Sequence, residues 1–279
     1  MKSAPNKPYA KKSLGQNFLI DPGYVGRIID ALDLQKNDIV VEIGPGRGAL
    51  TAGLIEKAGT AIVIEIDADL VPELEKKFGG AENFALVHGD ALKTDFRALI
   101  AERAAPGGEP KAKLAANLPY YISTAILQHL ASFSECFSVL VLMLQKEVVE
   151  RITAAPGNRE RGFLTVLTEA FFDARKLFDV PPNAFRPAPK VWSSVIRLTP
   201  KTAAGVLEEN PALFQKLLGF AFSQKRKTIH NNLKNARELL QDRDLSAILA
   251  ENGIDPRRRA ETLKLEEWLG LTESFARRA

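Results

Sequence analysis

Between residues 20 and 200 the apolar positions switch repeatedly between short unbroken runs and helical stripes. Asp21-Pro22 sets an N-cap with proline in the first helical position, and Val25, Ile28, Ile29 and Leu32 follow at helical spacing. Ile39-Val40-Val41-Glu42 then reads as a buried strand, Ala49 to Lys57 as a helix, and Ala61 to Ile66 as a second strand. Leu70 to Phe78 is helical, and Phe84 to Val87 is a third strand ending in Gly89-Asp90. Arg103 to Lys113, with Pro106-Gly107-Gly108 and Pro110, reads as a loop that interrupts the pattern, and Lys113 to Ala116 as the fourth strand. Ser138 to Leu144 is the most apolar run and reads as a central strand. Helices from Lys146 and near Phe163 to Phe172 follow, then a strand pair whose last member is Trp192 to Leu198. Strands alternating with helices predict a parallel sheet with right-handed crossovers, and with the last strand pair a seven-stranded nucleotide-type sheet whose active loops lie at the C-terminal strand ends.

Past Thr199-Pro200 only helical patterns remain. Asn210-Pro211 is placed to cap a helix that shows Phe214, Leu217, Leu218, Ala221 and Phe222 on one face. Further helices are expected from Leu245 to Glu251, stopped by Gly253, and from Leu265 onward. The expected organisation is a flexible basic arm over 1–13, an α/β domain over 14–200 and a smaller helical domain over 201–279.

Charge changes this picture in two places. The formal net charge is only +4, with 26% charged and 46% apolar residues, ordinary for a globular chain. The basic residues are bunched, however: Lys2, Lys7, Lys11 and Lys12 near the start, then Lys225-Arg226-Lys227 and Arg257-Arg258-Arg259. Bunched cations suit phosphate contacts, and a solvated helix face is the simpler alternative. Cys136 is the single cysteine and the three histidines are scattered, so no disulfide and no metal site is expected. No apolar run has the length of a membrane span and no signal-peptide core is visible, so a cytoplasmic protein is expected. Nothing in the sequence suggests an obligate interface, so a monomer is expected.

The chemistry gathers at strand ends. Gly44-x-Gly46-x-Gly48 after a strand allows the backbone to approach a ligand closely. Alone it is a weak signal, and a dinucleotide enzyme stays open on that loop, although that fingerprint places its third glycine three residues after the second, not two. Glu65 closes the second strand where a ribose-binding carboxylate would stand, and Asp90 closes the third with an acceptor suited to an adenine amine. Glycine backbone followed by two carboxylates suits S-adenosyl-L-methionine, which has a ribose and an adenine but no pyrophosphate. Asn117-Leu118-Pro119-Tyr120 ends the fourth strand. It offers an amide for an exocyclic amine, backbone carbonyls aimed by proline, and a ring to stack on a base. Phe185 is a candidate second wall. Together the loop and this turn point to methyl transfer onto the amino group of a base.

With these residues assembled, the chain resembles the KsgA/RsmA family of bacterial small-subunit ribosomal RNA adenine dimethyltransferases, from about residue 10 to 275. The likeness rests on Gln16-Asn17-Phe18-Leu19, Glu42-x-Gly44-Pro45-Gly46-x-Gly48, Glu65-Ile66-Asp67, Gly89-Asp90-Ala91-Leu92 and Asn117-Leu118-Pro119-Tyr120. It continues through Met143 to Val148, Phe185-x-Pro187-x-Pro189-Lys190-Val191, Phe222 to Thr228 and Asp255 to Leu263. The Pro106-Gly107-Gly108 loop and Ile229-His230-Asn231-Asn232 depart from it. The resemblance implies a Rossmann-like α/β methyltransferase sheet with an all-α C-terminal domain. It implies S-adenosyl-L-methionine contacts at Asn17, Leu19, Gly44, Glu65, Asp90 and Asn117; for Asn17 and Leu19 nothing but the resemblance supports the role. It further implies dimethylation of two adjacent adenosines in the 3′-terminal hairpin of 16S rRNA. A single hairpin cannot engage all three basic regions at once, so a small-subunit particle is the expected substrate, with the Lys225 and Arg257 clusters gripping phosphates.

Two rivals share parts of the pattern. Erythromycin-resistance methyltransferases have the same chemistry on large-subunit RNA, and Leu118 together with Arg259 to Leu263 favours the small-subunit branch. A ribosome-assembly or transcription factor with a vestigial site would bind without turnover.

Overall fold

A computed structural model describes residues 16–104, 110–119, 122–202, 205–241 and 243–277. The expected basic arm over 1–13, Tyr120 and the Pro106-Gly107-Gly108 loop lie outside the described residues. The elements run β1 (Phe18–Leu19), α1 (Pro22–Asp30), β2 (Ile39–Ile43), α2 (Thr51–Lys57), β3 (Thr60–Glu65), α3 (Val71–Phe78), β4 (Phe84–His88), α4 (Phe96–Ala101) and β5 (Ala112–Asn117). They continue with α5 (Ser123–Ser132), β6 (Phe137–Gln145), α6 (Lys146–Ile152), α7 (Phe163–Phe171), β7 (Phe172–Val180), β8 (Phe185–Arg186) and β9 (Ser193–Pro200). Helices α8 (Gly205–Glu209), α9 (Pro211–Ala221), α10 (Ile229–Leu233), α11 (Arg237–Leu240), α12 (Leu245–Glu251) and α13 (Leu265–Ala276) complete the chain.

The chain divides into two compact units. The first comprises residues up to His129 with Glu135–Val149 and Arg175–Pro200, and the second comprises Leu130–Ser134, Glu150–Ala174 and everything from Lys201. The second unit takes back part of the middle of the chain because Arg161 is buried in it. That guanidinium pairs with Glu169 at 2.6 Å and donates to the carbonyls of Ala154 and Leu263. Phe171 also meets Phe214 edge-on with ring centres 6.1 Å apart.

In the sheet the strand order is β4-β3-β2-β5-β6-β9-β7. Strands β4, β3, β2, β5 and β6 are parallel, and β2, β5 and β6 are almost wholly buried, as unbroken Val/Ile/Leu runs covered on both faces should be. The parallel run ends at β9, which runs antiparallel to β6, Gln145 facing Ser193. The segment between β7 and β9 holds no long helix, so no crossover returns the chain to the starting edge. Strand β6 is interior, and β5 takes the middle place.

Register is what makes the site. Ile43 pairs with Ile64 on one side and with Ala116 on the other, so Gly44, Glu65 and Asn117 end three neighbouring strands in one row. Glu65 pairs with His88, which brings Asp90 two residues beyond that row.

Three local details were not anticipated. Asp95 caps the short helix α4 by accepting from the Ala98 N–H at 3.0 Å. Residues Phe18–Leu19 form a two-residue antiparallel ladder with Phe185–Arg186. Asn210 precedes α9 as expected, but its side chain makes no capping hydrogen bond. By contrast, Asp21 accepts from the N–H groups of Gly23 and Tyr24 at 2.8 and 3.3 Å, as the Asp-Pro pair predicts.

Candidate active site

A cleft of about 240 Å³ opens in the first unit at the C-terminal ends of β2 to β5. Its lining includes Asn17, Gly44, Glu65, Asp90, Asn117, Leu118, Pro119 and Phe185. Leu19, expected beside them, is not among the lining residues; it is buried in the core cluster next to Phe185. Sequence reasoning missed Gln16, Phe18, Ile66, Leu92, Ile122 and Ile126 in the lining. The signal for Ile66 was present: a large apolar residue between two acids at a strand end, here 52% exposed.

The glycine loop is shaped by a left-handed backbone. Gly44 has φ +67°, and a Cβ built on it would meet no protein atom within 4 Å, so a side chain there would stand in ligand space. At Gly46, φ +58°, a Cβ would lie 2.8 Å from the Phe18 ring. That contact shows the loop and the Gln16–Leu19 segment packed directly together.

Glu65 organises the loop. Its carboxylate accepts the Gly46 N–H at 3.2 Å and the Asp67 N–H at 2.8 Å, while Asp67 accepts the Gln16 amide at 2.9 Å. Burial pushes the Glu65 carboxyl above its usual range and the Asp67 charge adds to it, while the backbone N–H groups of Asp67, Gly46 and Ile66 oppose the rise. Deeper in β2, Glu42 is buried and receives the Thr51 hydroxyl at 2.6 Å. Burial pushes its pKa up to about 7; Thr51 works against the rise and Glu65 adds to it. Asp90 accepts the Leu92 N–H at 2.9 Å, which fixes its carboxylate in the cleft wall.

Asn117 donates its amide N–H to the Asn17 carbonyl at 3.1 Å. A carbonyl can only accept, so the amide nitrogen is committed and Oδ1 remains the acceptor. Leu118 donates its N–H to Met143 O at 3.2 Å. The Pro119 carbonyl is taken up by Ile122 N–H at 3.2 Å and the Ser123 hydroxyl at 3.5 Å.

Lys225, Arg226 and Lys227, in the second unit, are all exposed. The three consecutive arginines differ from one another. Arg257 is fully solvent-facing on Asp255, whose carboxyl its hydrogen bonds pull down to about 2. Arg259 makes a loose 3.9 Å contact with Glu261. Arg258 holds Glu267 through two nitrogens at 2.5 and 3.0 Å and donates to the Thr262 carbonyl at 2.7 Å.

The cleft gathers the Gly44 backbone, the Glu65 and Asp90 carboxylates and the Asn117 amide at neighbouring strand ends. Fold and site define an S-adenosyl-L-methionine-dependent methyltransferase. The family model for ribosomal RNA adenine dimethylase matches residues 8–277. Ribosomal RNA small subunit methyltransferase A of Geobacter metallireducens is 43% identical over 266 residues, 95% of each chain. Its counterpart in Saccharophagus degradans is also 43% identical, over 95% of this chain and 94% of that one. A crystal structure of a dimethyladenosine transferase from Plasmodium falciparum superposes with TM-score 0.72 at 30% identity, covering 93% of this chain and 97% of that one. The 23S rRNA methyltransferase ErmE shares the fold, with TM-score 0.62 at 24% identity over 94% of this chain and all of that one. The chain belongs to the ribosomal RNA adenine dimethylase family and is an rRNA adenine N6,N6-dimethyltransferase.

Proposed function

We propose that this enzyme dimethylates N6 of two adjacent adenosines in the 3′-terminal hairpin of 16S rRNA, acting as a cytoplasmic monomer on an assembling small subunit. The reading is supported by family membership and by relatives named for the small ribosomal subunit. No helix among the described residues is long and apolar enough to cross a membrane. The 14–200 portion carries the transfer chemistry and the 201–279 portion grips RNA.

When bound, S-adenosyl-L-methionine supplies an electrophilic methyl group on a cationic sulfur. Glu65 would accept from the ribose hydroxyls and Asp90 from the adenine amine, with Asn17 and Gly44 completing the binding wall. The target amine is a weak nucleophile because its lone pair is delocalised into the purine ring. Asn117 Oδ1 and a neighbouring carbonyl accept its N–H groups, shift electron density onto nitrogen and aim the lone pair. With the Pro119 carbonyl engaged by Ile122 and Ser123, the Leu118 carbonyl is the second acceptor. Phe185, 2% exposed at the cleft wall, offers a ring to the base, and Tyr120 is the residue type to stack on it. The base leaves its own stack to reach the cleft. No strong base is needed, since the alkylated amine is acidic enough to lose its proton afterwards. Catalysis is positioning and electrostatics.

The observation that carries this reading is the Asn117–Asn17 hydrogen bond, which sets the amide so that oxygen is left for the substrate. Asn117→Ala should lower methyl transfer by roughly 10²–10³-fold, comparable to loss of one preorganised electrostatic contact. Calorimetric affinity for S-adenosyl-L-methionine should change less than the rate does. Normal turnover by that variant would sink the assignment.

A further inference from the structure

Among the described residues four large apolar side chains are well exposed: Ile20, Ile66, Val191 and Trp192. They are not scattered. Ile66 lines the cleft, and Ile20 donates its N–H to Ala184, the residue before Phe185. The Trp192 carbonyl accepts the Lys146 N–H at 3.0 Å, just past the Gln145–Ser193 pair. Strand β6 is parallel to β5, and its Met143 pairs with Asn117, so Trp192 stands at the same edge of the sheet as Asn117.

We infer that Trp192 is a stacking platform for an unpaired RNA nucleotide flanking the target adenosine. This deepens the RNA-methyltransferase reading and rests on it. The segment that carries Trp192 begins inside the cleft at Phe185 and exposes Arg186 and Lys190 on the way, cations placed to meet the phosphates beside a stacked base. Asn117, Met143 and Val195 lie across three strands, and Trp192 is three residues before Val195. A strand spacing of about 4.8 Å and a rise of about 3.3 Å then put Trp192 roughly 14 Å from Asn117. A base on Trp192 is therefore a different base from the one at Asn117. The platform is also braced. Ser194 donates to Asp179 at 2.6 Å, and Lys176 and Lys146 contact the same carboxylate at 2.6 and 3.3 Å. A half-exposed indole on an anchored backbone loses little freedom when a base covers it.

The two tryptophans make the test direct, because Trp268 is fully buried and Trp192 is 50% exposed. Acrylamide-quenchable emission of the full-length protein therefore reports Trp192. The probe is a single-stranded RNA with two adjacent adenosines, added until anisotropy of its label shows saturation. Quenching should fall on saturation. Trp192→Ala should raise the KM for unmodified small subunits about tenfold with kcat unchanged, and Trp192→Phe should recover most of that loss. Unchanged quenching at saturation, an unchanged KM in Trp192→Ala, or equal losses in Trp192→Ala and Trp192→Phe would each overturn the platform while leaving the methyltransferase reading intact. Absence of adenine methylation by the unaltered enzyme would overturn both.

Discussion

The two units treat charge in opposite ways. In the first, Glu42, Glu65 and Asp67 are withdrawn from water and each is held by a specific donor: the Thr51 hydroxyl, backbone N–H groups or the Gln16 amide. In the second, Lys225, Arg226 and Lys227 are exposed, and of three successive arginines one is committed to a carboxylate and a backbone carbonyl. A buried charge in a fixed set of donors addresses one ligand in one pose. An exposed cation on a long stem can meet a phosphate in many poses, with an affinity that salt erodes. Adjacent charges in sequence do not amount to one surface: Arg258 is structural, while its two neighbours are not.

The comparison breaks most readily at Glu65. Glu65→Ala removes the proposed ribose acceptor and the anchor for the Gly46 and Asp67 N–H groups, so calorimetric affinity for S-adenosyl-L-methionine should fall roughly 100-fold. An unchanged affinity would leave the carboxylate row without its assigned role.

Glu42 sharpens the contrast through pH. Its pKa rises from 4.5 to about 7 on folding. Between those values the folded protein holds a proton that the unfolded chain has lost. The stability contributed by the protonated form is thus present below 4.5 and lost as pH rises through 7. Glutamine cannot ionise, so urea denaturation without cofactor should show Glu42→Gln gaining on the parent by about 2–3 kcal/mol between pH 5 and pH 8. A difference independent of pH would mean that Glu42 titrates like a surface carboxylate.

In the helical unit, Arg258→Ala should cost about 2 kcal/mol, a partly buried bidentate pair falling between exposed and fully buried cases. Arg257→Ala should leave the urea midpoint unchanged, since its partner is equally reachable by water. Reversal of charge at Lys225, Arg226 and Lys227 should not alter folding. It should weaken binding to small subunits and lower the slope of log affinity against log salt by about 2–3. A slope equal to that of the parent would remove this cluster from the RNA interface.

What could be read from the chain was whatever local chemistry decides. Unbroken apolar runs gave the strands, the Asp21-Pro22 pair gave the start of α1, and glycines after a strand gave the left-handed loop. What could not be read depended on distant partners. A two-residue ladder between Phe18–Leu19 and Phe185–Arg186 is too short to leave any period, yet it seats Phe185 in the cleft. The reversal of β9 follows from a connection without a long helix, and the bracing of Asp179 by Ser194, Lys146 and Lys176 has no sequence signature. Arg258 looked the same as its neighbours until Glu267, nine positions on, came round on α13.

The most direct test is transfer of labelled methyl from S-adenosyl-L-methionine to unmodified small ribosomal subunits, with large-subunit RNA as control, followed by digestion and identification of the nucleosides. N6,N6-dimethyladenosine confined to two neighbouring positions of the small-subunit RNA is the predicted result. Label on the large-subunit RNA, or tight particle binding with no label at all, would contradict it.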